Sequence, residues 1–248
     1  MLHSIAGGRL VGSRFGEATP NVLALPGWAR THRDFDAVLA PAGGDPFDAI
    51  ALDLPGFGTA PPPPEAWGTP DYADFVSLVL DEMTPRVVVL GHSFGGRVAV
   101  HLAASRPDAI GALVLTGVPD LVRRGPRPQA PLRFRAARRL NRWGIVSDRA
   151  MEAARQRHGS ADYRAAEGVM RAVLVKTLAE GYEEQLAEIR CPISLVWGDD
   201  DTAAPLSVAE ELVRIHPGAQ LTVCPGAGHL TPLTAPGALR RAVANALA

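Results

Sequence analysis

Residues 86–96 read RVVVLGHSFGG, an apolar run, then a serine framed by glycines two positions away on either side, then a further glycine. Aliphatic residues without polar alternation suit a strand buried on both faces of a parallel sheet. Gly91 and Gly95 let the chain turn sharply from that strand into a helix, because residues lacking Cβ allow close packing on either side of the turn. Ser93 then sits at the apex, with its hydroxyl above the sheet at a helix N-terminus. Nine serines and 25 glycines in 248 residues would produce a G-x-S-x-G string by chance about 0.1 times. The strand before it and the helix after it give the string its weight.

Five further apolar runs share the character of Arg86–Leu90: Val22–Pro26, Ala49–Asp53, Ala112–Thr116, Ile193–Trp197 and Gln220–Cys224. Helix-like stretches separate them at Asp34–Ala40, Asp71–Met83, Gly96–Ser105, Val208–Ile215 and Pro236–Leu247. Strands alternating with helices predict an α/β fold with a mostly parallel sheet covered on both sides. Arg9–Phe15 is expected as an antiparallel edge strand. The alternation breaks at Asp120–Arg190, which reads as several helices inserted into the sheet domain. That segment holds 15 basic and 9 acidic residues, against 10 and 17 elsewhere. The expected organisation is a core of residues 1–119 and 191–248 with a helical lid at 120–190.

Composition narrows the function. The chain is 47% hydrophobic and 21% charged with a formal net charge of −1, which argues against general affinity for nucleic acid. No run reaches the roughly 18 apolar residues of a membrane span. The first residues, MLHSIAGGRLVGSRFG, lack the basic and apolar regions of a signal peptide, so a cytoplasmic protein is expected. Cys191 and Cys224 are too few for a disulfide framework. One precedes a strand and the other closes a strand, which predicts free thiols at opposite ends of the sheet.

A serine hydroxyl needs a base to become a useful nucleophile. Of seven histidines, His229 lies in Gly226-Ala227-Gly228-His229, after the last strand and before the last helix. Loops leaving the carboxyl ends of parallel strands share one face of the sheet, so this loop can reach Ser93. His92 adjoins the serine within a tight turn and points the wrong way for a base, and His101 falls two turns along the helix. The base in turn needs a carboxylate to fix its tautomer. The loop after Ile193–Trp197 offers Asp199, Asp200 and Asp201 in a row, with Asp120 as a fallback. Asp199 could instead support the turn, and Asp200 could simply be solvated.

Taken together, these motifs resemble the α/β-hydrolase superfamily over the whole chain. The order Ser93…Asp201…His229 matches that family's nucleophile, acid and histidine. Trp197-Gly198-x-x-Asp201-x-x-x-Pro205 resembles its acid loop, which selects Asp201, and Asp53-Leu54-Pro55-Gly56-Phe57-Gly58 resembles its D-x-x-G-x-G turn. The resemblance implies an oxyanion hole from the backbone N–H groups of Phe94 and Trp28. This chain has Pro26-Gly27 where the family often has His-Gly. The insertion falls where the family often carries a lid, and Arg123–Arg142 contains eight arginines and no acidic residue. A basic lid resembles that of the esterase acting on a pimeloyl-carrier-protein methyl ester, which implies an acidic substrate or an acyl carrier protein partner. Twenty-four of the 25 basic residues are arginine, so genomic bias and a solvated helix face account for the same pattern. Leu132, Phe134, Leu140, Trp143, Met151 and Met170 are candidates to line an acyl pocket or to pack the lid on the core.

The expected activity is therefore hydrolysis of a small-molecule carboxylic ester or thioester, with no metal or organic cofactor. Gly56-Phe57-Gly58 lacks the glycine pattern of a dinucleotide site. Ser93 stands where dehalogenases of this superfamily carry aspartate. Two alternatives share the fold: a lyase, cofactor-free oxygenase, perhydrolase or C–C bond hydrolase, and a non-enzymatic ligand receptor.

Overall fold

A computed structural model describes residues 2–122, 139, 140, 143, 147 and 161–248. Its eight strands are β1 (Leu2–Ile5), β2 (Leu10–Phe15), β3 (Val22–Leu25), β4 (Ala49–Asp53), β5 (Val87–His92), β6 (Ile110–Thr116), β7 (Ile193–Gly198) and β8 (Gln220–Cys224). They form one sheet in the order β1-β2-β4-β3-β5-β6-β7-β8. β2 runs antiparallel to both neighbours, and every other pairing is parallel. The described helices are α1 (Asp36–Leu39), α2 (Thr69–Val76), α3 (Phe94–Ser105), α4 (Ala161–Ala165), α5 (Gly168–Thr177), α6 (Glu183–Glu188), α7 (Leu206–Ile215), α8 (Thr231–Thr234) and α9 (Pro236–Leu247). Single 3-10 turns at His32–Phe35 and Ser77–Glu82 adjoin α1 and α2.

The central strands are apolar on both sides because each side meets its own layer of helices. Val22, Ala24, Val88, Leu90, Ala112 and Val114 pack with Val38 and Leu39 of α1 and with Leu239 and Val243 of α9. The alternate residues Leu23, Leu25, Val89, Leu113 and Leu115 belong to a second cluster with α2, α3, α6 and α7. Burial on both faces is what removes polar alternation from these strands. The six apolar runs correspond to β3 to β8, and the predicted helices to α1, α2, α3, α7 and α9.

Two edge expectations need correction. Arg9–Phe15 supplies β2, but β1 pairs along its outer side, so β2 is not an edge. Four short residues at the start of a chain carried too little pattern to announce β1. Gln220–Cys224 was expected to be buried on both faces, yet Gln220, Thr222 and Val223 are exposed. Among the described strands β8 is the far edge of the sheet, with a partner only on its β7 side.

The segment between β6 and β7 holds α4, α5 and α6, and the last of these packs on α3. Most of the arginine-rich stretch 123–142, together with Leu132, Phe134 and Met151, lies outside the described residues. The end of the insertion is fastened to the N-terminus of α2. Glu180 accepts hydrogen bonds from the backbone N–H and hydroxyl of Thr69, while Lys176 bridges the Ala66 carbonyl and Asp71. Cys191 and Cys224 are buried and unpaired.

Trp197, fully buried at the end of β7, donates its indole N–H to the Ala204 carbonyl at 2.7 Å and so ties the following loop to the sheet. Trp197→Phe leaves that carbonyl unpaired and opens a void. A loss of about 2 kcal/mol in urea unfolding is expected.

Candidate active site

Parallel register brings the carboxyl ends of β5, β6, β7 and β8 level: His92 pairs with Thr116, Leu115 with Leu195, and Gly198 with Cys224. Every loop that leaves these ends therefore rises on one side of the sheet. Ser93 follows β5 immediately, at φ 50° and ψ −115°, and α3 starts at the next residue. A non-glycine residue in this region of backbone space is strained. The turn can be this tight because glycines flank it. A Cβ on Gly91 would lie 2.6 Å from the Gly96 Cα, and one on Gly95 would overlap the Leu25 carbonyl oxygen.

His229 enters from the loop between β8 and α8. Its Nε2 lies 3.0 Å from Ser93 Oγ, and its Nδ1 lies 2.9 and 3.1 Å from the Asp201 carboxylate oxygens. Asp201 is 4% exposed and also accepts the backbone N–H groups of Ala203 and Ala204. Burial opposes its ionisation, but hydrogen bonds from His229, Ala204 and Ala203 outweigh burial and hold the carboxyl below its ordinary value. Gly117, at φ 56°, leaves room for this pair. A Cβ there would stand 3.2 Å from both Asp201 Oδ2 and His229 Nδ1.

The three adjacent aspartates divide by direction. Asp199 accepts the Gly226 N–H at 2.7 Å and holds the turn of the histidine loop. The Asp200 side chain is exposed, and Asp201 alone of the three reaches His229. The fallback, Asp120, lies beside Arg97 at 3.7 Å. The Pro26-Gly27-Trp28 loop presses against the serine turn, since a Cβ on Gly27 would come 3.2 Å from Ser93 Cβ. Among the described residues, neither the Trp28 nor the Phe94 backbone N–H has a hydrogen-bond partner. Their rings pack edge to face at 5.5 Å, and Phe57 completes an apolar wall beside them. Met170 of α5 closes over Gly56 in the same wall, whereas Trp143 is 60% exposed.

Two polar groups were given no role in the sequence reading. Asp53, 1% exposed, accepts hydrogen bonds from the His32 backbone N–H and ring and from Thr59. It thereby joins the loops after β3 and β4. The D-x-x-G-x-G pattern marked this aspartate, but no signal connected it with His32. His92 is the other: its Nε2 lies 2.9 Å from the His229 backbone carbonyl. Among the described residues, no three His, Cys, Asp or Glu side chains converge as a set of metal ligands. No described helix is long and apolar enough to cross a membrane.

Comparison with known proteins bears on this arrangement. The sequence profile of the alpha/beta hydrolase family matches residues 22–242. A 2-hydroxy-6-oxononadienedioate/2-hydroxy-6-oxononatrienedioate hydrolase of Cupriavidus pinatubonensis is 30% identical over 82% of this chain and 75% of its own. A pimeloyl-[acyl-carrier protein] methyl ester esterase of Aromatoleum aromaticum is 29% identical over 88% of this chain and 94% of its own. A thermophilic esterase from Thermogutta terrifontis shares the fold, with a TM-score of 0.70 at 23% identity over 100% of this chain and 98% of its own.

Burial weighs most against ionisation of Asp53, but hydrogen bonds from His32 and Thr59 hold its pKa below the ordinary 3.8, as the corresponding bonds do for Asp201. The unfolded chain therefore binds protons before the native state does as the pH falls. The stabilisation these groups give is complete above about pH 5 and is lost as the pH drops through their lowered native values. Asp53→Asn should show a smaller loss of stability than the wild type between neutral and acid pH, as read by urea unfolding.

Proposed function

Because the chain belongs to the alpha/beta hydrolase family, we propose that it is a serine hydrolase that cleaves a carboxylic ester or thioester at Ser93. The observation that carries this reading is the continuous hydrogen-bonded line from Ser93 Oγ through His229 to Asp201, standing at the N-terminus of α3. The Ser93 hydroxyl donates to His229 Nε2, which takes its proton as Oγ adds to the substrate carbonyl carbon. Asp201 accepts the Nδ1–H, selects that tautomer and stabilises the imidazolium. The Phe94 and Trp28 N–H groups receive the oxyanion, each worth about 3 kcal/mol in the transition state.

Collapse of the tetrahedral intermediate expels the alcohol or thiol, protonated by His229, and leaves Ser93 acylated. Water then gives its proton to His229 and attacks the acyl carbonyl. A second tetrahedral intermediate releases the acid and returns the proton to Ser93. These steps use no cofactor. In this reading residues 120–190 form a helical lid on a core of residues 1–119 and 191–248. The insertion point after β6 and the seat of Met170 over Gly56 support that role. The basic first part of the insertion and the carrier-protein ester named for the Aromatoleum relative support an acidic or carrier-borne acyl substrate. A cytoplasmic location fits the two buried free thiols. Hydrolysis of a carbon–carbon bond is the second reading, favoured by likeness to the Cupriavidus dioate hydrolase.

A fluorophosphonate should add once to the wild-type protein by intact mass and not at all to Ser93→Ala. Absence of an adduct on folded wild type would overturn the nucleophile assignment. Asp201→Asn should lower turnover of a responsive ester by about 10³- to 10⁴-fold with the fold retained. A panel of esters, thioesters and 2-hydroxy-6-oxo dioates separates the two readings by which class is consumed.

A further inference from the structure

His92, the residue between the first glycine and the serine of the turn, is 1% exposed and contributes no atom to the line from Ser93 to Asp201. Its Nε2 stands 2.9 Å from the His229 backbone carbonyl. A carbonyl can only accept, so Nε2 carries the proton and the ring is an Nε2–H donor. Nδ1 is buried without a partner among the described residues, facing Gly27, where a Cβ would come within 3.0 Å.

The surroundings keep this ring neutral. Burial first, and then the His229 ring at 5.0 Å, push its pKa down to about 4, against the opposing pull of the His229 backbone hydrogen bond and of Asp34 and Asp201. Asp34 is itself engaged by Arg30. A charged His92 would stand beside the imidazolium that the proposed reaction forms on His229.

The loop that carries His229 contains Gly226 and Gly228, so its backbone is freer than that of most loops. Its other hydrogen bonds hold it to the β7 and β8 side of the sheet. The Ala227 N–H donates to the Cys224 carbonyl, the Ala227 carbonyl accepts the Asp200 N–H, and the Gly226 N–H donates to Asp199. Ser93 directly follows β5, which lies two strands from β7. Among the described hydrogen bonds, two cross to residue 229 from that strand and its turn: Ser93 Oγ to the ring and His92 Nε2 to the backbone. Adjacent residues 92 and 93 thus grip one histidine at two points.

We propose that His92 is a positioning residue, whose Nε2–H bond to the His229 carbonyl sets the base at its working distance from the Ser93 hydroxyl. The inference rests on the serine hydrolase reading. His92→Phe keeps the apolar volume and removes the donor. Its rate of Ser93 phosphonylation and its kcat should fall by about 10- to 100-fold, the scale on which small misplacements act. KM should change by less than roughly twofold. His92→Gln places an amide N–H near the same carbonyl and should recover most of the rate. A Phe variant that folds and labels at the wild-type rate would overturn the proposal, as would Gln and Phe variants that are equally slow.

Ring nitrogen–proton correlation on ¹⁵N-histidine wild type, assigned with His92→Gln, is independent of turnover. It should show a neutral Nε2–H ring for His92 at neutral pH, and an Nδ1–H or charged ring would overturn the bond whether or not the Phe variant folds. If the wild type takes no label at all, the hydrolase reading fails, and with it the catalytic purpose of the grip. The nitrogen spectrum then decides the hydrogen bond by itself.

Discussion

Ser93 is held in a backbone conformation that costs of order 1–3 kcal/mol, and much of the site depends on the contacts that keep it there. Its N–H donates to the Thr116 carbonyl at 3.0 Å, and its own carbonyl accepts the N–H groups of Gly96 and Arg97 as α3 begins. Val98, Ala99, Val100, Leu102 and Ala103 are then buried along that helix. Burying one such side chain gives about 1.5–3 kcal/mol, so a helix docked this deeply can offset one strained residue. The close approach at Gly91 and Gly95 is the condition for that docking. Larger residues there would push α3 off the strands and take the serine hydroxyl with it.

With the serine fixed, the remaining polar groups follow from level strand ends. Asp201 and His229 leave neighbouring strands, so a short loop suffices for each to meet above the sheet. The division of work among three consecutive aspartates is a matter of backbone direction, since successive side chains in an irregular loop face different partners. Asp199 secures the turn before His229, Asp201 secures its ring, and Asp200 faces solvent. Gly117, just after β6, matters here through what it lacks, because any side chain would crowd the carboxylate and imidazole.

The insertion joins this framework at more than its two ends. Glu180 and Lys176 clasp the start of α2, and Tyr72 of α2 donates its hydroxyl to the Pro55 carbonyl in the turn after β4. Arg97 of α3 donates to the Pro119 carbonyl just before the insertion and stacks over Tyr182 near its end. The described end of this segment is thus tied to the helices that pack behind the serine turn. Met170, also from this segment, packs on the same core as Trp28, Phe57 and Phe94.

The parallel strands, the helices between them, the serine turn and the histidine loop were all legible in the chain. Each depends on local physics: unbroken aliphatic runs, glycine spacing and the order of the elements. The carboxylate that meets His229 was less so. Three aspartates stand in a row, and a family resemblance, not their chemistry, singled out Asp201. Some features follow from neighbours distant in the chain. β2 is internal because four residues of β1 pair with it, and β8 is exposed because no described strand pairs beyond it. Asp53 meets His32 across 21 residues and His92 meets His229 across 137. Hydrogen bonds of that kind leave no periodicity or composition behind, since they need only two polar atoms brought together by packing elsewhere. The sequence pattern could name the groups able to do chemistry, but their distances and directions come from the folded sheet.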